Sequence, residues 1–175
     1  MRHSSSGRER QDFGVPRLNS MCCSGEPGHP RYRNGDPEDQ VFTDGELLYR
    51  RYRVEHFQNQ QLLPSAFRFP RQSFNREKYS TPEDVLHSDC GGKKLQDGWG
   101  VLECSSTNLP TPIDGQDGRT FQFDPIHKPL ECCYAHTEVW CKAGGEFVDE
   151  PSPKVRKIFR VRLAQRMTVR IYASA

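Results

Sequence analysis

The stretch Cys132-Cys133-Tyr134-Ala135-His136-Thr137-Glu138-Val139-Trp140-Cys141 decides how this chain is expected to fold. Read as a strand, its side chains alternate between two faces. One face is small or apolar and suits a packed core; it carries positions 133, 135, 137, 139 and 141. The other face is partly polar; it carries Cys132, Tyr134, His136, Glu138 and Trp140. The pattern therefore predicts a strand inside a sheet, with a core on one side and a polar surface on the other.

Several other segments also alternate as strands or read as buried strands. Residues 46–54 alternate, with Leu48, Tyr52 and Val54 on one face, and residues 98–104 form an apolar run typical of a buried strand. Residues 119–123 and 168–172 alternate as well. The sequence thus supplies enough strands for a sheet.

Two predicted helices complete the fold. Thr81-Pro82 predicts a short helix near 82–88, and Ser152-Pro153 predicts a C-terminal helix near 153–166. In the second helix, Val155, Ile158, Phe159 and Leu163 recur at helical spacing. Because strands and helices are not regularly interleaved, we expect an α+β fold with a mixed or largely antiparallel sheet.

Residues 1–44 differ in composition from the rest of the chain. They are rich in Arg, Gly, Ser, Pro, Asp and Asn, and their apolar residues show no period. Such a segment buries too little surface to offset the entropy lost on ordering. We expect a flexible tail over 1–44 and a single domain over 45–175. The sequence leaves open whether translation starts at Met1 or Met21.

Composition narrows the functional classes. The net charge of +2 implies by itself no polyanionic partner, and no 18-residue apolar run indicates a membrane span. The seven cysteines are odd in number, without framework spacing, so free thiols in the cytoplasm are expected; they lie at 22, 23, 90, 104, 132, 133 and 141. No cofactor is expected, and the oligomeric state is left open.

Zinc is an alternative explanation for the cysteines around His136. On an extended strand, Cys132 and His136 lie roughly 13 Å apart, too far for one tetrahedral ion. A site built on Cys132, Cys133 and His136 requires a turn at 132–133 and a further ligand from Cys90 or Cys104. Buried thiols that act as small apolar side chains are the preferred interpretation, with no metal.

A second candidate site combines His136, Glu138 and arginines. Residues two apart on a strand share a face, so His136 and Glu138 are expected side by side, with Arg51 or Arg53 on a neighbouring strand. That cluster suits anion binding or acid–base chemistry, and its candidate catalytic residues are His136, Glu138 and Arg51. The alternative is a partly solvated sheet face that carries a His–Glu pair.

The C-terminal helix supplies a basic surface. The cations Lys154, Arg156, Lys157, Arg160 and Arg166 follow one another without an intervening acid. Such a face, together with Arg53, suits an acidic protein or the phosphates of a nucleic acid. The plainer interpretation is a solvated helix face.

Short motifs of this chain resemble a family of small, uncharacterised bacterial proteins. The matching segments are Tyr49-Arg50-Arg51, Ser65-Ala66-Phe67-Arg68, Asn75-Arg76-Glu77-Lys78-Tyr79, His136-Thr137 and Lys154 to Ala164. The resemblance implies one fold unit over about 46–167 with a marked histidine, and it implies no reaction. Taken together, the sequence predicts a small cytoplasmic binding or accessory module that uses its basic C-terminal helix. The alternative is a small enzyme, or an anion- or nucleotide-binding protein, that uses the His136 cluster.

Overall fold

The computed structural model describes residues 29–33, 35–87, 94, 95 and 97–174, and most of their regular structure is β-strand. The strands are β1 Leu47–Arg53, β2 Phe57–Gln58, β3 Gln61–Leu62, β4 Gln72–Arg76, β5 Trp99–Ser105, β6 Ile113–Asp114, β7 Thr120–His127, β8 His136–Ala143, β9 Glu146–Phe147 and β10 Thr168–Ile171. Within these residues there is one α-helix, α1, at Pro153–Arg166. Short 3-10 helices are Pro30–Tyr32, Val54–His56, Pro64–Ala66, Glu77–Tyr79, Glu83–Leu86 and Ser106–Asn108.

Eight of the strands form one sheet. Seven follow the order β10-β5-β1-β4-β8-β7-β6, and β9 pairs with β8, while β2 and β3 make a separate hairpin. Every pairing in the described residues is antiparallel. The α+β class and the largely antiparallel sheet are therefore confirmed, and the mixed sheet is wrong. The consecutive pairs β6–β7 and β8–β9 are joined by short links, which suit antiparallel neighbours because these need no long crossover.

Helix α1 covers one face of the sheet. Ser152 caps its first turn by accepting a hydrogen bond from the backbone N–H of Val155, and Pro153 occupies the first helical position. Val155, Phe159 and Leu163 are buried against the sheet, as predicted, and Ile158 is partly buried. Within the described residues, no helix is both long and apolar enough to cross a membrane.

The short helix expected near 82–88 is a 3-10 helix, Glu83–Leu86, so the expectation of a second α-helix is wrong. Four residues make one tight turn, and the described chain is extended at His87. The turn still has a packing role. Val85 and Leu86 cover Tyr49 and Val101 on the sheet face opposite α1.

The described part of the predicted tail packs against the domain. Arg76, which is fully buried, donates to the backbone oxygens of Asp39 and Val41 and to the carboxylate of Glu46. His127 accepts a hydrogen bond from the backbone N–H of Asp39. Residues 1–28 lie outside the described part, so their flexibility stays a prediction.

The strand that organises the sequence begins later than its alternation predicts. Residues 131–135 form turns, with a bridge between Leu130 and Cys133, and β8 starts at His136. The strand prediction is therefore wrong for Cys132 to Ala135. The cause is tertiary packing, because the Tyr134 ring lies in a cluster with Tyr79 and His127. From Thr137 to Cys141 the alternation is confirmed, with the odd positions buried.

Candidate functional site

The site lies where β1 and β4 separate. Their backbones pair only at Leu48 with Arg76 and at Tyr49 with Asn75, near one end of each strand. β1 continues to Arg53, paired with β5 on its other side, and β4 starts at Gln72, paired with β8 on its other side. The sheet therefore has a seam between two well-supported strands, and the side chains of β1 and β4 line it.

A cleft of about 670 Å³ opens at this seam, a volume typical of small-ligand sites. Most of its charged lining residues are basic. Its basic residues are Arg31, Arg50, Arg51, Arg53, Arg68, His56 and His136. Glu55 is the single acidic residue among the described residues that line it. Such a concentration of one sign in a concave surface raises the local concentration of ligands of the opposite sign.

Arg50 stands at the centre of the cleft. Its Nη1 donates to the backbone oxygen of Ser73 at 2.7 Å, and its Nη2 donates to that of Ala66 at 3.3 Å. The guanidinium also lies over the rings of Phe67 and Phe74. In the described residues no carboxylate lies within ion-pair distance of it. Burial, together with the charges of Arg51 and Arg68, lowers the pKa of Arg50 to about 10. The side chain is thus still a cation at neutral pH.

Arg31 brings a second such cation to the cleft. Its side chain is 1% exposed, and Nη1 donates to the backbone oxygen of Asp84. Its Nε is buried without a hydrogen-bond partner. No carboxylate of the described residues pairs with its guanidinium. A buried cation normally has a carboxylate partner, as Arg76 has Glu46, whereas the hydrogen-bond partner of Arg31 among the described residues is a backbone oxygen.

His136 lines the same cleft with one ring nitrogen already engaged. Its Nδ1 lies 2.6 Å from the backbone oxygen of Lys128, and a carbonyl oxygen only accepts, so Nδ1 carries the hydrogen. Nε2 makes no hydrogen bond within the described part of the chain. That nitrogen accepts from a ligand when the ring is neutral and donates to an anion when the ring is protonated.

The structure gathers three of the four residues predicted for this site. Arg51, Arg53 and His136 all line the cleft. Glu138 does not: its carboxylate accepts a hydrogen bond from Trp140 Nε1 at 2.7 Å and lies 3.8 Å from Arg71. The predicted His136–Glu138–arginine cluster is therefore present without its acid.

The four described thiols are all buried. Cys104 and Cys141 are free thiols, and Cys132 and Cys133, which lie between them in the sequence, are buried as well. Burial raises the pKa of Cys104 to about 12 and that of Cys141 to about 11. Across the described ranges, no group of three His, Cys, Asp or Glu side chains is placed to hold a metal ion. Cys90, named as a further zinc ligand, lies outside the described residues.

The cations of α1 lie on a separate surface. Lys154 and Lys157 are exposed, and Arg156, Arg160 and Arg166 are partly exposed. Arg166 donates to Asn108 Oδ1 and to the backbone of Arg162. In the part of the chain that the structure describes, none of these cations pairs with a carboxylate. Arg156, Lys157 and Arg160 line a second, smaller groove.

Comparisons of this chain with protein family models, with curated proteins and with solved structures give no match. The resemblance to small bacterial proteins therefore stays a prediction, and the site has to be interpreted from its own geometry.

Two residues of the cleft, Arg50 and Arg31, were not predicted as site residues from the sequence. Arg50 falls on the same face of β1 as Leu48 and Tyr52, so a cation interrupts an apolar alternation, and that interruption was a usable signal. Arg31 gave no such signal. It belongs to the segment expected to be flexible, and only tertiary packing against Asp84 brings it to the cleft.

Proposed function

We propose that this protein is a binding module for phosphate-bearing ligands, which it holds in the arginine cleft. One observation carries the proposal. The guanidinium groups of Arg31 and Arg50 have backbone oxygens as hydrogen-bond partners in the cleft wall and, among the described residues, no carboxylate. A ligand anion would provide the carboxylate-like partner that these two arginines lack among the described residues, and the attraction would stabilise the complex.

Phosphate fits this cleft better than a carboxylate does. The guanidinium group is planar, and its paired N–H groups match two oxygens of a phosphate. Five arginines against one glutamate suit a ligand that carries more than one negative charge. Further hydrogen-bonding groups at the wall are Nε2 of His136 and the side chains of Ser65, Ser73 and Asn75. We propose binding rather than acid–base catalysis, because Glu138, the acid expected beside His136, contacts Trp140 and Arg71 instead.

Titration calorimetry of the full chain with pyrophosphate at low salt tests the proposal. Arg50→Gln should weaken binding about ten- to hundredfold, since one charge-assisted hydrogen-bonding group contributes roughly 1.5–3 kcal/mol. Arg119→Gln is the matched control. It removes the same charge from an exposed arginine that pairs with Asp117, outside the cleft, and should leave affinity unchanged.

Two results would overturn the proposal. One is equal pyrophosphate affinity of the Arg50→Gln and Arg119→Gln variants, with both melting as the parent protein does. The other is acetate binding as tightly as pyrophosphate, which would show that the cleft does not select for multiple charge.

A further inference from the structure

A second basic groove adjoins the cleft. The turn Pro64–Ala66 packs beside the N-terminal half of α1, and a groove of about 480 Å³ lies between them. Its lining comprises Pro64, Ser65, Pro153, Arg156, Lys157 and Arg160. Ser65 also lines the arginine cleft. The two concave surfaces therefore meet at one residue.

The groove has the same charge character as the cleft. Its three cations face no acidic residue among the described residues of its lining, and they pair with no carboxylate of the described chain. The Nε of Arg160 is buried without a hydrogen-bond partner. Arg31 in the lining of the cleft and Arg160 in that of the groove thus each have a buried Nε without a hydrogen-bond partner. A lone phosphate group can fill one concavity only, whereas a chain of phosphates can occupy both.

The cleft also has a partly exposed aromatic ring. Trp99 lines it, with the Arg53 guanidinium 4.6 Å from its ring centre, whereas Tyr49 and Tyr52 of the same lining are buried. A positive groove combined with aromatic rings is the pattern that binds single-stranded nucleic acids, because bases stack on rings while cations follow the backbone. A base-paired duplex buries its bases in the stack, so they could not stack on the Trp99 ring.

We infer that the ligand is a single-stranded nucleic acid, whose phosphates fill the arginine cleft and continue over Ser65 into the groove beside α1. This inference rests on the proposed function of the cleft. It also gives the basic face of the C-terminal helix a defined role, as an extension of the cleft. Arg156 and Arg160 contact the strand after it leaves the sheet seam.

Fluorescence titration measures binding at the cleft directly. The chain has two tryptophans, Trp99 in the cleft and Trp140 on β8, so a Trp140→Phe protein reports on Trp99 alone. Oligothymidylates of increasing length should bind with rising affinity until both concavities are filled, and then with constant affinity. A duplex of the same length and long-chain polyphosphate should each bind at least about tenfold more weakly than the single strand.

Charge variants separate the groove from the cleft. Arg156→Gln with Arg160→Gln should weaken binding of the longest oligothymidylate about tenfold or more. They should also shallow its log–log salt dependence by up to about 1.4, at about 0.7 per single-strand phosphate contact. Pyrophosphate affinity should stay within about twofold. Arg119→Gln with Lys142→Gln is the matched control, since both cations form ion pairs with acids elsewhere.

The outcomes distinguish this inference from the proposed function. If pyrophosphate fails to bind, the cleft proposal fails and this inference with it. If pyrophosphate binds but oligonucleotide length and the α1 variants have no effect, this inference alone is overturned. Equal affinity for polyphosphate and the single strand would likewise overturn the assignment to nucleic acid.

Discussion

Arg50 on β1 donates a 2.7 Å hydrogen bond to the backbone oxygen of Ser73 on β4, so a side chain spans the seam between these two strands. Backbone pairing between them ends one residue earlier, at Tyr49 and Asn75. The arrangement keeps a cation at the floor of a cleft that a regular ladder would close. The seam is therefore what makes room for a ligand in an otherwise continuous antiparallel sheet.

The first prediction compares two arginines. Arg50→Met should change the free energy of unfolding by less than about 1 kcal/mol, or raise it. Holding this charge in the wall costs roughly 3 kcal/mol, from the lowering of its pKa to about 10, and that offsets the lost hydrogen bonds. Arg76→Met should lower the free energy by about 3–5 kcal/mol, because it leaves the Glu46 carboxylate buried without its partner.

Urea unfolding of both variants checks this contrast. A loss above about 2 kcal/mol for Arg50→Met would mean that Arg50 holds the fold together. Its position in the cleft would then need no ligand to explain it.

The second prediction concerns the core beneath α1. Phe159 is buried, with its ring stacked on Phe123 at 4.1 Å between centres and edge-on to Phe69. Phe159→Ala should lower the free energy of unfolding by about 3–5 kcal/mol, the usual range for emptying such a site. Gln165→Ala, at an exposed position of the same helix, should stay within about 0.5 kcal/mol. A loss below about 1 kcal/mol at Phe159 would contradict the docking of the helix.

The sequence predicted these helix contacts because a 3.6-residue period is a local property. Local patterns also placed β1 and β5 within one residue of their observed bounds. They failed where distant groups decide the structure. Alternation predicted a strand over residues 119–123 only, yet β7 runs through Pro125 to His127, supported by pairing with β8. Val54, expected inward, lies exposed in a 3-10 helix.

The candidate site was harder to predict than the fold. His136, Arg51 and Arg53 could be named from alternation, because residues on one strand face share their surroundings. The seam could not be predicted from the sequence, since it depends on where β1 and β4 stop pairing. Arg31 comes to the cleft from a segment without any periodic pattern.

The third prediction concerns pH. His127 is fully buried; its Nε2–H donates to the Tyr134 backbone oxygen at 2.6 Å, and its Nδ1 accepts from the Asp39 N–H. Burial lowers its pKa below the ordinary 6.5. Between that lowered pKa and 6.5, the unfolded chain binds a proton that the folded chain does not. The contribution of neutral His127 to the free energy of unfolding is therefore fully present above pH 6.5, and it falls as the pH drops through this window.

Unfolding free energies at about pH 5, 6 and 7 test this coupling, and His127→Gln should remove most of the loss in that window. The carboxyl pKa of Asp39 is held low by hydrogen bonds from Lys78 and Tyr79, so its own contribution is lost only at lower pH. His56→Gln serves as the control and should keep the parent slope. An unchanged slope in His127→Gln would show that the N-terminal contact does not depend on a neutral imidazole.

The fourth prediction concerns the thiols. Because burial raises the pKa of Cys104 to about 12 and that of Cys141 to about 11, thiolate is scarce at both sites near pH 8. Iodoacetamide should leave both unmodified in the native protein and label both after denaturation, as read by peptide mass spectrometry. Labelling of either one in the native protein would contradict the burial of that thiol.

The most direct test of the central claim, that the cleft holds a phosphate-like anion, is a crystal structure of the full chain soaked with tungstate. Tungstate has the tetrahedral shape and double charge of phosphate and scatters X-rays anomalously. We expect an anomalous peak in the cleft, within hydrogen-bonding distance of the Arg31 and Arg50 guanidinium groups. An empty cleft in crystals that bind tungstate elsewhere would contradict it.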